Sequence, residues 1–319
     1  MGKIMIDLGI QIEPQFGFDY PTTLQIAQTA EKIGLSHAWF SDHFFLDTEA
    51  TQRTSYDIWT IMTGIAIQTR QLRIGSMVLC NSYRHPAIAA KMIASLDHIC
   101  GGRFDCGLGA GWKEVEYNAY GIPFPSAGTR IDQLAEGIQV MKALWKEDKA
   151  TFKGNYYELN DAISFPKPLQ RPHPPLWIGT MAVKPKMLRL IAQHATGANL
   201  AWAYTPDQVK EAYLTIDNFA KEMGRTDSIS RSLGLWAGIY PTEESFEEMV
   251  QEQAKKRNMT IEEYRGRLEG ALHGTPEFWL QRIQQYQEIG IEKLILMFPH
   301  QRELESLDLI AEAILPHLR

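Results

Sequence analysis

A carboxylate followed directly by an imidazole, Asp42-His43, is the pair in this sequence with the plainest chemical use. A histidine beside a carboxylate keeps its pKa near neutrality and can give or take a proton. The structural alternative, a helix-capping aspartate next to a surface histidine, stays open at this point. The nine histidines show neither His-x-His nor His-Glu-x-x-His, so no metal site is expected. Cys80, Cys100 and Cys106 lack Cys-x-x-Cys and zinc-like spacing, which suits a reducing cytoplasm.

Two glycine-containing turns come next. Gly107-Leu108-Gly109-Ala110-Gly111 starts like a dinucleotide fingerprint, but Trp112 stands where Gly-x-Gly-x-x-Gly needs its last glycine. The run therefore reads as a tight strand end that permits close backbone approach. Gly179-Thr180, with Pro185 opening a helix and Lys184 and Lys186 nearby, is a candidate anion site built from exposed amides at a positive helix end. An ordinary strand-to-helix turn is the competing reading. Trp39, Phe40, Phe44, Phe45, Trp112, Trp177 and Trp202 sit on or just past strand candidates. Core packing is the default for each, while several at one rim would line a pocket for a flat ring.

The elements that must hold these residues follow from periodicity. Runs rich in β-branched and aromatic residues at 4–12, 37–42, 73–79, 104–109, 175–179, 197–202, 233–239 and 293–298 read as strands. Helical patterns lie between and after them at 22–33, 58–68, 86–99, 131–146, 185–194, 206–222, 276–289 and 303–318. Prolines at or beside five of these helix starts suit a first turn whose amides lack partners anyway. Eight strands each followed by a helix predict a single (β/α)8 TIM barrel domain over residues 1–319, ahead of an open doubly wound sheet. Residues 149–174 and 242–274 are insertions before strand five and after strand seven, the second placed to form a lid or rim. In such a barrel the working residues lie at the C-terminal strand ends. Those ends carry Gln11 and Glu13, Ser41-Asp42-His43, Asn81, Tyr83 and Arg84, Gly111-Trp112 with Glu114 and Glu116, Gly179-Thr180, Asn199 and Trp202, and His300.

Composition narrows the classes. With 45% hydrophobic and 22% charged residues the chain is ordinary globular material, which excludes disordered and fibrous classes. A net charge of -6 without any basic block argues against nucleic acid, whose affinity comes from neutralised phosphates. Asp7 interrupts the N-terminal segment before any signal-peptide core, and no eighteen uncharged apolar residues run together, so neither secretion nor a membrane span is expected.

Taken in order, Trp39-Phe40-Ser41-Asp42-His43-Phe44, Tyr83-Arg84-His85-Pro86 with Ala90-Lys91-Met92, Gly101-Gly102-Arg103-Phe104, Gly107-Leu108-Gly109-Ala110-Gly111-Trp112 and Tyr120-Gly121-Ile122-Pro123-Phe124-Pro125 resemble the bacterial luciferase-like oxidoreductases. Within that superfamily they are most similar to the branch dependent on the deazaflavin coenzyme F420. The resemblance covers most of the chain and implies the same barrel. It implies a flavin or deazaflavin ring over the barrel mouth, with Asp42 and His43 as catalytic residues near the reacting ring carbon. Met77, Val78, Asn81, Gly111, Trp112, Gly179, Thr180 and Asn199 would bind the cofactor, Met77-Val78 through a non-proline cis peptide and Gly179-Thr180 through the phosphate. Sugar-phosphate dehydrogenases of the family carry a Trp where this chain has Leu46-Asp47 and a Glu where it has Trp112, departures that weigh against a sugar-phosphate substrate.

The resemblance thus implies a cytoplasmic enzyme moving a hydride between F420 and a small organic molecule. The alternative is a monooxygenase using reduced FMN from a separate reductase; the Ser-Asp-His form of strand two favours F420. A non-catalytic binding barrel and a metal-dependent hydrolase rank below both. A homodimer through residues 58–99 is expected, and the pocket's outer wall is expected from the two insertions.

Overall fold

The structure is a computed structural model that describes residues 6–318. Eight strands, β1 (Asp7–Ile12), β2 (His37–Phe40), β3 (Arg73–Ser76), β4 (Phe104–Gly109), β5 (Leu176–Thr180), β6 (Gly197–Trp202), β7 (Ser230–Ile239) and β8 (Lys293–Met297), pair in chain order. All their pairings are parallel, and β8 pairs with both β7 and β1, which closes the ring. The expected (β/α)8 barrel is therefore the observed fold. The first two residues of the first strand expected from sequence lie outside the described residues.

The ring is filled by pairing large side chains with missing ones. A Cβ added at Gly75 would fall 2.2 Å from Trp39, at Gly197 2.4 Å from Trp177, and at Gly234 2.8 Å from Trp202. Each indole thus occupies the space its neighbouring strand leaves empty, which is how a narrow barrel reaches interior packing density. At the opposite end from the strand C-termini, Arg73 pairs with Asp105 at 2.8 Å and Lys293 with Asp7 at 3.0 Å.

Local signals start and stop the helices as the sequence suggests. The Asp19 side chain accepts the Thr22 amide at 2.8 Å ahead of Tyr20–Ile33, and Gly34 ends that helix at φ 92°. Asp57 accepts the Thr60 amide ahead of Ile58–Gln68, and Thr205 with Gln208 forms a capping box for Pro206–Glu222.

Strand three departs from the continuous run expected over residues 73–79. The chain leaves the ladder after Ser76, passes the Met77-Val78 peptide, which is cis, and pairs again at Leu79–Cys80. Ile74 sits opposite Phe104 and Leu79 opposite Leu108, so five steps on one strand match four on the next. That is a bulge of one residue. Ser76 repairs the ladder there: its hydroxyl donates to the Gly107 carbonyl and accepts the Gly107 amide, both at 2.9 Å.

The first insertion forms the antiparallel hairpin Ala150–Lys153 and Glu158–Ala162. The second forms helices Glu243–Lys256 and Ile261–Leu268 around their own small cluster of Val250, Ala254 and Tyr264, then a strand, Leu272–Gly274, that pairs with β7. A third excursion, not marked as an insertion by periodicity, follows β4: a short helix, Glu114–Ala119, precedes the long helix Ala127–Lys146.

Candidate active site

The strand C-termini converge on a cavity of about 600 Å³, ordinary for a small-molecule site. Of the residues expected at the site, Asp42, His43, Met77, Val78, Gly111, Trp112, Gly179, Thr180 and Asn199 all line it. Asn81 does not. Its Nδ2 donates to the Tyr157 hydroxyl at 3.1 Å, and a Cβ at Gly137 would meet its Oδ1 at 2.3 Å, so the side chain faces the long helix and the hairpin. The bulge explains this: one extra residue reverses the in-out alternation, bringing Cys80 to the cavity and sending Asn81 outward. Neither insertion supplies a lining residue; the outer wall comes instead from the excursion after β4, through Trp112, Lys113, Ala127, Arg130 and Ile131.

Glycines set the shape of the floor. A Cβ at Gly109 would lie 2.5 Å from Val78, and one at Gly179 2.6 Å from the same side chain, so Val78 is seated between two bare strand ends. Gly111, at φ 77°, leaves room for the Tyr117 hydroxyl, which a Cβ would approach to 1.8 Å.

Asp42 is buried and already occupied. Its Oδ2 accepts the Cys80 amide at 3.0 Å and the Arg84 guanidinium at 2.6 Å, and its Oδ1 accepts Arg84 at 3.1 Å. Burial pushes its carboxyl up, while the guanidinium beside it works in the opposite direction. It therefore fixes the end of the bulge. His43 is placed differently, with Nδ1 2.8 Å from Glu116 Oε2.

Glu116 is fully buried and is the centre of this side of the site. Besides His43 it accepts the Phe44 amide at 2.7 Å, the Phe45 amide at 3.2 Å, the Tyr83 hydroxyl at 2.7 Å and Lys113 at 3.3 Å. Burial alone would raise its pKa, but the imidazole and the other donors bring it down to about 2. An ionised carboxylate has only acceptor sites, so Nδ1 of His43 is the donor. The other ring nitrogen, Nε2, is left to the cavity that His43 lines. Trp112, 57% exposed, stands edge-on to the imidazole with ring centroids 5.8 Å apart. Spacing offered no way to see which way Glu116 points.

Glu13, at the end of β1, adds a third buried carboxylate, accepting from Gln11 at 2.7 Å, from Ser41 at 2.7 Å and from Gln15. On the far side of the cavity, the Thr180 hydroxyl donates to the Ala182 carbonyl at 2.7 Å and closes the turn before helix Pro185–His194. Of the two lysines expected there, Lys184 lines the cavity, whereas Lys186 turns to Asp132 at 2.8 Å and the Gly128 carbonyl at 2.9 Å.

The concave floor of glycine backbone and Val78, bordered by Met77, Met297, Trp202 and Trp236, fits a flat tricyclic ring. Among the described residues no group of His, Cys, Asp and Glu is arranged to hold a metal ion.

The luciferase-like monooxygenase family model matches residues 6–269. The FMNH(2)-dependent dimethylsulfone monooxygenase of Pseudomonas putida is 31% identical over 53% of this chain, a stretch spanning 46% of that protein. The F420-dependent glucose-6-phosphate dehydrogenase of Amycolatopsis mediterranei (strain U-32) is 26% identical over 93% of this chain and 94% of its own. Among solved structures, an F420-dependent secondary alcohol dehydrogenase in complex with an F420-acetone adduct superposes with a TM-score of 0.84 at 24% identity, covering 98% of this chain and 99% of that one. The oxygenating constituent of 3,6-diketocamphane monooxygenase from Pseudomonas putida, in complex with FMN, superposes at 0.78 with 18% identity, covering 98% and 99%. At these identities the two superpositions speak to the fold alone. With more than four-fifths of its length matched by the family model and the same closed barrel around the site, the chain belongs to the luciferase-like monooxygenase family.

Proposed function

We propose that the chain is an oxidoreductase that binds coenzyme F420 at the barrel mouth and moves a hydride between it and a small organic substrate. The observation that carries this reading is the His43–Glu116 pair, a proton-handling imidazole held by a buried carboxylate at the edge of a cavity shaped for a flat ring. Met77, Val78, Gly111 and Asn199 support the ring, and the Gly179-Thr180 turn with Lys184 takes the phosphate end. When bound, the deazaflavin supplies a two-electron donor or acceptor in hydride form. His43 gives or takes the accompanying proton at Nε2. Glu116 fixes the Nδ1–H tautomer and orients the ring. Asp42 and Arg84 keep the bulge in place, and the aromatic wall excludes water.

The same cavity supports a second reading, an oxygen-dependent monooxygenase using FMN reduced by a separate enzyme, favoured by the 31% identity to an FMNH(2)-dependent relative. Titrating the purified protein with F420 and with FMN, following cofactor fluorescence, distinguishes the two. Saturable F420 binding is expected; tight FMN binding without F420 binding would overturn the choice.

No helix among the described residues is long and apolar enough to cross a membrane. Our reading of the whole protein is one barrel domain working in the cytoplasm as a homodimer. Ile67, Ile88 and Ile99, each at least half exposed on helices Ile58–Gln68 and Pro86–Ile99, supply the paired surface.

A further inference from the structure

Besides Cys80 and Tyr83, six ionisable side chains line the cavity: Glu13, Asp42, His43, Lys113, Arg130 and Lys184. Lys113 is spent on the Phe45 carbonyl and Glu116. Arg130 is spent on the Gly111 and Pro125 carbonyls and lies 3.9 Å from the Phe124 ring centroid. Among the described residues, Lys184 is the one lining cation without a protein partner, and it follows the Thr180 turn assigned above to the cofactor's phosphate. Elsewhere in the lining, the Glu13 carboxyl meets only the neutral donors Gln11, Gln15 and Ser41. With Lys184 on the cofactor's phosphate, a phosphorylated substrate would find no other uncommitted lysine or arginine among the described lining residues, and its charge would enter the cavity uncompensated. What the lining offers besides is apolar: Trp112, edge-on to the imidazole, with Phe16 and Leu46.

We infer that the substrate is a neutral, largely apolar molecule, and that Trp112 selects it by offering an indole face where a carboxylate would demand a hydroxyl-rich ligand. The inference rests on the reading of the cavity as a ring-cofactor site, and it adds the substrate's chemical class. Apolar surface leaving water against the indole supplies the affinity. The lack, among the described lining residues, of a second uncommitted lysine or arginine beyond Lys184 supplies the discrimination.

The test uses saturation-transfer NMR on the purified protein, first alone and then saturated with whichever ring cofactor it binds. The probes are 2-heptanone and glucose 6-phosphate. The wild-type protein is expected to transfer saturation to the 2-heptanone methyl protons and not to glucose 6-phosphate. Trp112→Glu is expected to weaken 2-heptanone at least fivefold, and Trp112→Phe less than twofold, with unchanged far-ultraviolet circular dichroism. Binding of glucose 6-phosphate by the wild-type protein, or 2-heptanone binding indifferent to Trp112→Glu, would overturn the inference. If Trp112→Glu does not fold, the wild-type preference and Trp112→Phe still decide it. Failure of the cofactor reading is separately visible as the absence of F420 and FMN binding in the titration.

Discussion

Replacing His43 by alanine removes the imidazole that meets the cavity but leaves the floor that would carry a ring. Turnover is expected to fall about 100-fold or more, the usual worth of a positioned proton donor, with cofactor affinity changed far less. Steady-state kinetics beside a fluorescence titration checks this, and undiminished turnover would remove His43 from the mechanism. Glu116→Gln tests the partner that holds it. The carboxylate accepts from five donors in a fully buried place, so an amide there leaves at least one of them unmatched. The loss should be about 2 to 3 kcal/mol at pH 7, with turnover down about tenfold or more. The pH dependence has a definite sign. Because the folded protein holds the Glu116 pKa down at about 2 against an ordinary 4.5, its contribution is present above about pH 4.5 and is lost as pH falls toward 2. Urea melts should show the gap between wild type and Glu116→Gln narrowing from pH 5 to pH 3; a constant gap would mean that Glu116 is not ionised in the native state.

At the scale of elements, the junction of β3, β4 and β5 depends on one side chain fitting two absent ones. Gly109→Ala puts a methyl 2.5 Å from Val78 and should cost about 1 to 3 kcal/mol. Val78→Ala in the same chain should restore much of that, because the two changes meet at one contact and therefore do not add. Thermal melts of the two single variants, the double variant and the wild type measure the coupling. Additive losses would show that Val78 is not what Gly109 accommodates. Gly107 is a different case: its added Cβ would face the Ser76 carbonyl at 1.9 Å, a rigid neighbour that no side-chain change relieves. The glycine run that fails as a dinucleotide fingerprint is thus explained by the bulge it packs against.

For the whole molecule, ring closure and cavity shape are separable from the second insertion. Helices Glu243–Lys256 and Ile261–Leu268 carry their own apolar cluster and contribute nothing to the cavity lining. Exchanging residues 243–268 for a short Gly/Ser linker should leave the cofactor dissociation constant within about threefold, as expected when the removed contacts are remote from the site. A loss of cofactor binding in a protein that still shows barrel circular dichroism would mean that this insertion shapes the site after all. The eight-fold alternation of strand and helix was legible in the chain because burial on both faces imposes apolar runs on parallel strands and a 3.6-residue stripe on helices, as in β8 and helix Ile58–Gln68. The rim positions of Asp42, His43, Gly179 and Thr180 followed from the same count, since strand ends in a closed barrel share one face. What lay beyond reach depended on phase and on contacts distant in sequence. One extra residue at the bulge turned Asn81 out of the cavity, and the 73-residue separation between His43 and Glu116 left no periodic trace. Sequence alone specified which strand ends meet, because that depends on local pattern; only the folded chain decided which side chains face one another there, because that depends on register and on the packing of segments that pattern does not link.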